Sequence, residues 1–162
     1  MFREKLVVVT GTPCTGKTTV AKKLAKALGY EYLEVAKLIK DTGISESYDE
    51  YRQSEIVDIK NLNREIRRMV KGKLVVIDSH MGHYLPNKLV KVCVVTKCNL
   101  KLLKKRLEKR GYLYSKVREN LDAEILNICY NEAREQGHKV LVVDTTKGFV
   151  ISEIVKLLNY LD

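Results

Sequence analysis

Residues 7–19 read VVVTGTPCTGKTT, a β-branched run that stops at Gly11, with Gly16-Lys17-Thr18 following after four further residues. Glycine, four residues, then Gly-Lys-Ser/Thr is the pattern of a phosphate-binding loop set between a strand and a helix. Each part has a physical job. Gly11 ends the strand in a tight turn, and Gly16 lets the backbone pass close to a phosphate with no Cβ in the way. Successive backbone N–H groups, reinforced by the N-terminus of the following helix, form a cradle for anionic oxygens. Lys17 can reach the β- and γ-phosphates, and the Thr18 hydroxyl can ligate Mg²⁺. The pattern points to a nucleoside triphosphate with Mg²⁺.

Working outward, strand-like and helix-like segments alternate, the signature of an α/β fold with a parallel sheet. Leu6–Thr10 reads as a buried strand, and Val20, Leu24 and Leu28 stripe a helix that ends at Gly29. Further strands are expected at Tyr32–Val35, Leu74–Asp78, Val90–Val95 and Val140–Val143. Ile56, Ile59, Leu62, Ile66 and Met69 predict a helix closed by Gly72, and Leu100, Leu103 and Leu107 another that reaches Arg110-Gly111. Val117, Leu121, Ile125 and Ile128 stripe one longer helix to about Gln136, and Ile151, Ile154, Leu158 and Leu161 a closing one. The polar stretch near 37–53 and the segment near 110–117 read as excursions from a single core. No repeat, low-complexity tract or linker divides the chain, so residues 1–162 are expected to form one domain.

The third strand, LVVID, ends in Asp78. Ligands of a parallel sheet bind at the carboxyl ends of its strands, where a carboxylate can hold Mg²⁺ or one of its waters. Thr18 and Asp78 are therefore the expected metal-side pair. His80, two residues on, is placed to order a water or contact the γ-phosphate, with an ordinary loop histidine as the plainer alternative. His83 and His138 show no such constellation. Arg106 and Arg110 stand four apart in RLEKRGY, on one helix face, so they can clamp phosphate as charge develops on it. An exposed basic face is the competing reading, and the Gly111-Tyr112 hinge just beyond favours a mobile functional segment.

The 162 residues carry 30 Lys+Arg against 20 Asp+Glu, a net charge of +10. Such an excess suits polyanionic partners such as RNA, although a Lys/Glu-rich surface from a heat-loving organism, with only Gln53 and Gln136, explains it as well. No apolar run approaches the length of a membrane span. The opening MFREK leads almost directly into the first strand, so no leader is expected and the cytoplasm is the expected location. Cys14, Cys93, Cys98 and Cys129 form no CxxC or metal-ligand spacing; Cys93 and Cys129 are expected as buried thiols, not as parts of a disulfide framework.

Taken together, GTPCTGKTT, SYDEYR (47–52), VIDSH (76–80), RLEKRGY (106–112) and ENLDAEILNICYNEAREQG (119–137) resemble the adenylate kinase isoenzyme 6 family over nearly the whole chain. Asp-x-His after the third strand, joined to RLxxRGY without a large inserted lid, is the specific part. The resemblance implies a nucleoside-monophosphate-kinase fold, a five-stranded parallel sheet in order 2-3-1-4-5 with helices on both faces. It also implies a monophosphate-binding excursion near 34–57 and a short lid near 109–119. It implies adenylate kinase activity (ATP and AMP to two ADP) together with ATPase activity, in the service of small-ribosomal-subunit maturation with a ribosomal protein of the platform and rRNA. By position, the ATP site would be Cys14, Thr15, Gly16, Lys17, Thr18 and Thr19, with Arg110 from the lid; Lys17, Asp78, His80, Arg106 and Arg110 would carry catalysis. Two departures stand out: Cys14 replaces a usual glycine, and the arginines that grip AMP phosphate in ordinary adenylate kinases are represented only by Lys40 and by none in MGHYLP. An assembly factor whose ATPase is the working activity is the alternative. A small-metabolite kinase such as a shikimate kinase shares the loop, but Asp-x-His and RLxxRGY argue against it.

Overall fold

Strand β1 (Leu6–Gly11) is buried at all six positions, which demands protein on both faces and both edges. A computed structural model describing residues 6–161 shows how each side is covered; the leader reading of MFREK falls outside the described residues. β1 pairs in parallel with β5 (Val75–Asp78) on one edge and with β6 (Val90–Lys97) on the other. β2 (Glu31–Glu34) lies beyond β5, and β7 (Val140–Asp144) beyond β6. The order β2-β5-β1-β6-β7 is 2-3-1-4-5 when the core strands are counted along the chain. A sheet buried on both faces explains why its strands read as continuous apolar runs.

The two-residue period of β1 divides the core. Val7 and Val9 face α1 (Lys17–Leu28) and α7 (Ile151–Tyr160) through Val20, Leu24, Ile154 and Leu158. Leu6 and Val8 face α2 (Val35–Thr42), α3 (Ile59–Val70) and α6 (Ile128–Glu135) through Leu38, Leu62, Ile66 and Ala133. A third, smaller cluster joins α4 (Leu100–Lys109) to α5 (Tyr114–Ile125) through Leu103, Leu107, Val117 and Leu121. Cys14 and Tyr112 pack against it, which seats this helix pair beside the phosphate loop.

Several boundaries differ from the sequence expectation for identifiable reasons. Val35 opens a helix instead of ending a strand. The polar stretch holds α2 and a small antiparallel hairpin, β3 (Ser47–Asp49) with β4 (Ser54–Ile56). Ile56 therefore belongs to that hairpin and is exposed, and α3 starts at Ile59 behind Asp58, whose carboxylate caps the Lys60 amide at 2.9 Å. The long helix expected to Gln136 is two helices. Asn127 takes a left-handed conformation, φ 51°, that ends α5 and redirects the chain into α6. Ile125 and Ile128 are consequently exposed, and α5 buries Lys116, Asn120 and Glu124 alongside Val117 and Leu121. All four cysteines are free; Cys93 is buried, but Cys129 only half so. Among the described residues, no helix is long and apolar enough to cross a membrane.

Candidate active site

Strand register sets the floor of the site. Asp78 lies level with Val9 on one side and Glu34 on the other, and Gly11 lies level with Thr96 of β6. The loop from Gly11 to Gly16 thus leaves the sheet beside the carboxylate that ends β5. Its conformation depends on left-handed turns at Cys14 (φ 69°) and Gly16 (φ 93°). Cys14 therefore keeps a backbone shape that glycine adopts freely and an L side chain adopts at a cost of about 1–2 kcal/mol. Gly11 admits no substitute, since a Cβ there would come within 2.6 Å of the Thr96 carbonyl oxygen.

Threonines clamp the loop from behind. The Thr12 carbonyl accepts from the Thr15 amide (3.2 Å), the Thr15 hydroxyl (2.6 Å) and Lys17 Nζ (3.2 Å). Thr15 Oγ1 also meets Thr96 Oγ1 at 2.7 Å, and Thr145 Oγ1 donates to the Thr15 carbonyl at 2.6 Å. Thr15 is fully buried, with its amide, hydroxyl and carbonyl all spent on holding the loop. Thr96 and Thr145 were not singled out from the sequence. Their signal was a hydroxyl at the carboxyl end of an apolar strand run, one of them in VVDT.

Thr18 and Asp78 meet directly, with Thr18 Oγ1 donating to Asp78 Oδ2 at 2.6 Å. Tyr32, from β2, donates to the same oxygen at 2.7 Å, and burial with the adjoining carboxylate raises its own pKa. A hydroxyl and a carboxylate in contact are a fitting partial ligand set for Mg²⁺, which keeps waters and takes its remaining oxygens from substrate phosphates. Lys17 is held below its ordinary pKa by burial, opposed by Asp78. His80 is exposed toward the cleft yet sits beside Lys17. Burial first and Lys17 second lower its pKa to about 4, making it a neutral imidazole at physiological pH.

Arg106 donates through Nη1 to the Cys14 carbonyl at 3.2 Å, tying α4 to the loop. Arg110, the residue closing α4, contacts the Tyr112 hydroxyl at 3.4 Å. The resulting cleft, about 830 Å³, is lined by Lys17, Thr18, Asp78, His80, Arg106 and Arg110 together. Cys14, Gly16 and Thr19 also line it, whereas Thr15 lies behind. Its opposite wall is Glu34, Val35, Ala36, Ile39 and the hairpin residues Gln53 to Glu55. Lys40 is exposed on the last turn of α2, away from that lining. Cations come instead from the other side, where Lys109 and Lys116 join the two arginines. Lys116 carried no sequence signal, because burial of a lysine beside Val117 is a tertiary outcome.

The hairpin and the α4–α5 connection touch across the cleft mouth. Gln53, at φ 49°, accepts the Leu113 amide on its side-chain oxygen (2.8 Å) and Lys116 Nζ on its carbonyl (2.7 Å). Arg52 Nε lies 3.8 Å from Glu119 beside them. His83 also has a structure that sequence did not reveal. It is buried between Thr10 Oγ1 (3.0 Å) and Glu132 Oε2 (2.7 Å), and Tyr84 donates to the same carboxylate oxygen at 2.9 Å. The carboxylate needs donors, so Nε2 carries the proton and Nδ1 accepts from Thr10; burial holds the ring below its ordinary pKa.

A phosphate loop on the central strand, facing a carboxylate at the next strand's end, defines a P-loop nucleotide-binding domain. The family profile described as an AAA domain matches residues 7–127. More narrowly, the chain belongs to the adenylate kinase isoenzyme 6 family. It is 38% identical over 158 residues to a protein of Thermococcus kodakarensis named "Putative adenylate kinase", covering 95% of this chain and 85% of that protein. It is 33% identical over 158 residues to "Adenylate kinase isoenzyme 6 homolog FAP7" of Saccharomyces cerevisiae, covering 95% and 80%. The fold is also that of a shikimate kinase from Acinetobacter baumannii, with TM-score 0.65 over 96% of this chain and 93% of the other at 16% identity. At that identity the likeness concerns the fold alone.

Proposed function

We propose that this chain transfers the γ-phosphoryl group of Mg·ATP to AMP and, when no acceptor is bound, to water. The observation that carries this reading is the Thr18–Asp78 contact at the floor of a cleft with a phosphate loop on one side and a mixed apolar and oxygen-rich wall on the other. That wall combines apolar Val35, Ala36 and Ile39 with the oxygen-rich Glu34, Gln53, Ser54 and Glu55, chemistry suited to a base and ribose rather than a phosphate. The acceptor phosphate would point toward Arg106, Lys109, Arg110 and Lys116. Residues near 34–57 would act as the monophosphate excursion and those near 109–119 as the lid. Relatives named adenylate kinase support the kinase class.

Thr18 and Asp78 would hold the metal, which neutralises charge on the β- and γ-oxygens when bound. Lys17 and the loop amides fix the triphosphate, and Arg106 and Arg110 offset negative charge on the group in transfer. Lid and hairpin, meeting through Gln53, exclude water from the reacting centre. His80, a neutral imidazole lining the cleft, would order the attacking water when the acceptor is missing. Incubation with ATP plus each nucleoside monophosphate, beside ATP alone, tests the reading: ADP should form fastest with AMP. ADP formation that no monophosphate accelerates would reject the transfer step.

A second reading is an ATP-driven assembly factor of the cytoplasm serving the small ribosomal subunit. The net charge of +10 favours it, as does the exposed basic face of α3, with Lys60, Arg64, Arg67 and Arg68. Pull-down from cell extract should then recover small-subunit protein and rRNA in a nucleotide-dependent way, with RNA retention falling steeply with salt. Recovery of neither in any nucleotide state would leave the small-molecule kinase alone.

A further inference from the structure

Two hydroxyls from two different elements converge on one oxygen of Asp78. Thr18, in the first turn of α1, donates to Oδ2 at 2.6 Å, and Tyr32, in β2, donates to the same atom at 2.7 Å. The first bond joins the metal-side pair already described; the second has no part in it. β2 is an edge strand of the sheet, and Tyr32 lies level with Val76, two residues short of Asp78. Its half-buried ring packs against the cluster that holds α1, with Lys22 Nζ 5.6 Å from the ring centroid. Tyr32 lies outside the cleft lining, so whatever it does for a ligand it does through Asp78.

A phenylalanine would pack that ring equally well. A half-buried tyrosine at a sheet edge ordinarily keeps its polar tip in water. Here the hydroxyl reaches inward instead, to a carboxylate that is 5% exposed. The torsion that turns an aspartate's carboxyl plane is broad, so a single donor leaves the plane free to swing. Two donors on one oxygen, one from α1 and one from β2, hold it. With Oδ2 spent on both, Oδ1 is the oxygen left for a metal ion or one of its waters. The Thr18 hydroxyl, having given its hydrogen to Oδ2, keeps its lone pairs for the same ion. We propose that Tyr32 is a positioning residue that orients Asp78 toward the Mg²⁺ of a bound nucleotide. Carboxylates at metal sites are themselves hydrogen-bonded, and these outer partners matter nearly as much as the ligands. The proposal rests on the reading of Thr18 and Asp78 as the metal side of an ATP site, but not on phosphoryl transfer to AMP.

The test is binding of a non-hydrolysable ATP analogue to the full chain, measured by calorimetry in saturating Mg²⁺ and again with the metal removed by EDTA. The ratio of the two affinities reads the metal side alone. Tyr32→Phe keeps the ring and removes the hydroxyl. It should lower that ratio about tenfold, as loss of an outer hydrogen bond at a metal site does, while metal-free affinity stays parental. In an Asp78→Asn background the same change should cost nothing further, because the hydroxyl acts only through the carboxylate. An equal fall in metal-free affinity, a further loss in the Asp78→Asn background, or failure of Tyr32→Phe to fold would make the hydroxyl a structural group and overturn the proposal. A Mg²⁺ gain in the parent that Tyr32→Phe retains in full would remove the proposal alone. A parent chain that binds the analogue equally well with and without Mg²⁺ would overturn the metal reading of Thr18 and Asp78, and this proposal with it.

Discussion

Replacing Lys17 by methionine should lower ATP turnover, with or without AMP, by roughly 10²–10³-fold, the range for loss of one preorganised electrostatic contact. Methionine keeps the length and removes the charge. In the structure the Lys17 ammonium rests on the Thr12 carbonyl at 3.2 Å, inside the loop, with burial depressing its pKa and Asp78 opposing that. A cation partly withdrawn from water interacts with phosphate more strongly than one at the surface. Arg106, tied to the Cys14 carbonyl on the far side of the loop, does not take the place of a cation inside it. Steady-state ADP release measured at saturating ATP checks the prediction. Turnover at the parental rate would take the loop out of the mechanism.

Asp78 and His80 should separate binding from chemistry. Asp78→Ala removes the carboxylate that Thr18 and Tyr32 both address, so all Mg²⁺-dependent activity should be lost. His80→Ala should bind ATP with near-parental affinity yet hydrolyse it slowly, by roughly the 10²-fold of a lost general-base or water-ordering group. The pH profile supplies a second measure. A neutral imidazole is the form that accepts a proton or orients water, and His80 keeps that form until pH falls through about 4. Hydrolysis should therefore show no acid limb near the ordinary histidine value of ~6.5; the limb should appear near 4 and vanish in His80→Ala. Parental hydrolysis in His80→Ala would make the histidine structural.

Much of the architecture was legible in the chain because local chemistry wrote it there. LVVVTG and LVVID are near-continuous apolar runs, as strands covered on both faces must be, and GTPCTGKTT marks a turn and a helix start by its glycine spacing. The five core strands agree with the observed sheet, and so does the 2-3-1-4-5 order that the family resemblance implies. Asp78 was locatable for the same reason, being the first charged residue after an apolar run. The region from 37 to 56 was not legible, because its elements are brief and its polar hairpin is held by contacts with the α4–α5 connection.

The α5–α6 region shows most clearly where sequence and tertiary structure part. Period alone placed Ile125 and Ile128 in the core and left Glu124 outside; the structure does the reverse. A helix of 3.6 residues per turn offers more than one possible stripe, and a left-handed Asn127 settles which one faces inward. The sequence by itself determined the parallel sheet, the phosphate loop and the acidic strand end, since each follows from residue type and spacing over a few positions. The tertiary structure decided which cations face the cleft, which threonines clamp the loop, and that a carboxylate lies behind it. Those choices depend on contacts between residues far apart in the chain, as Thr15 and Thr145 are, and no local pattern encodes them.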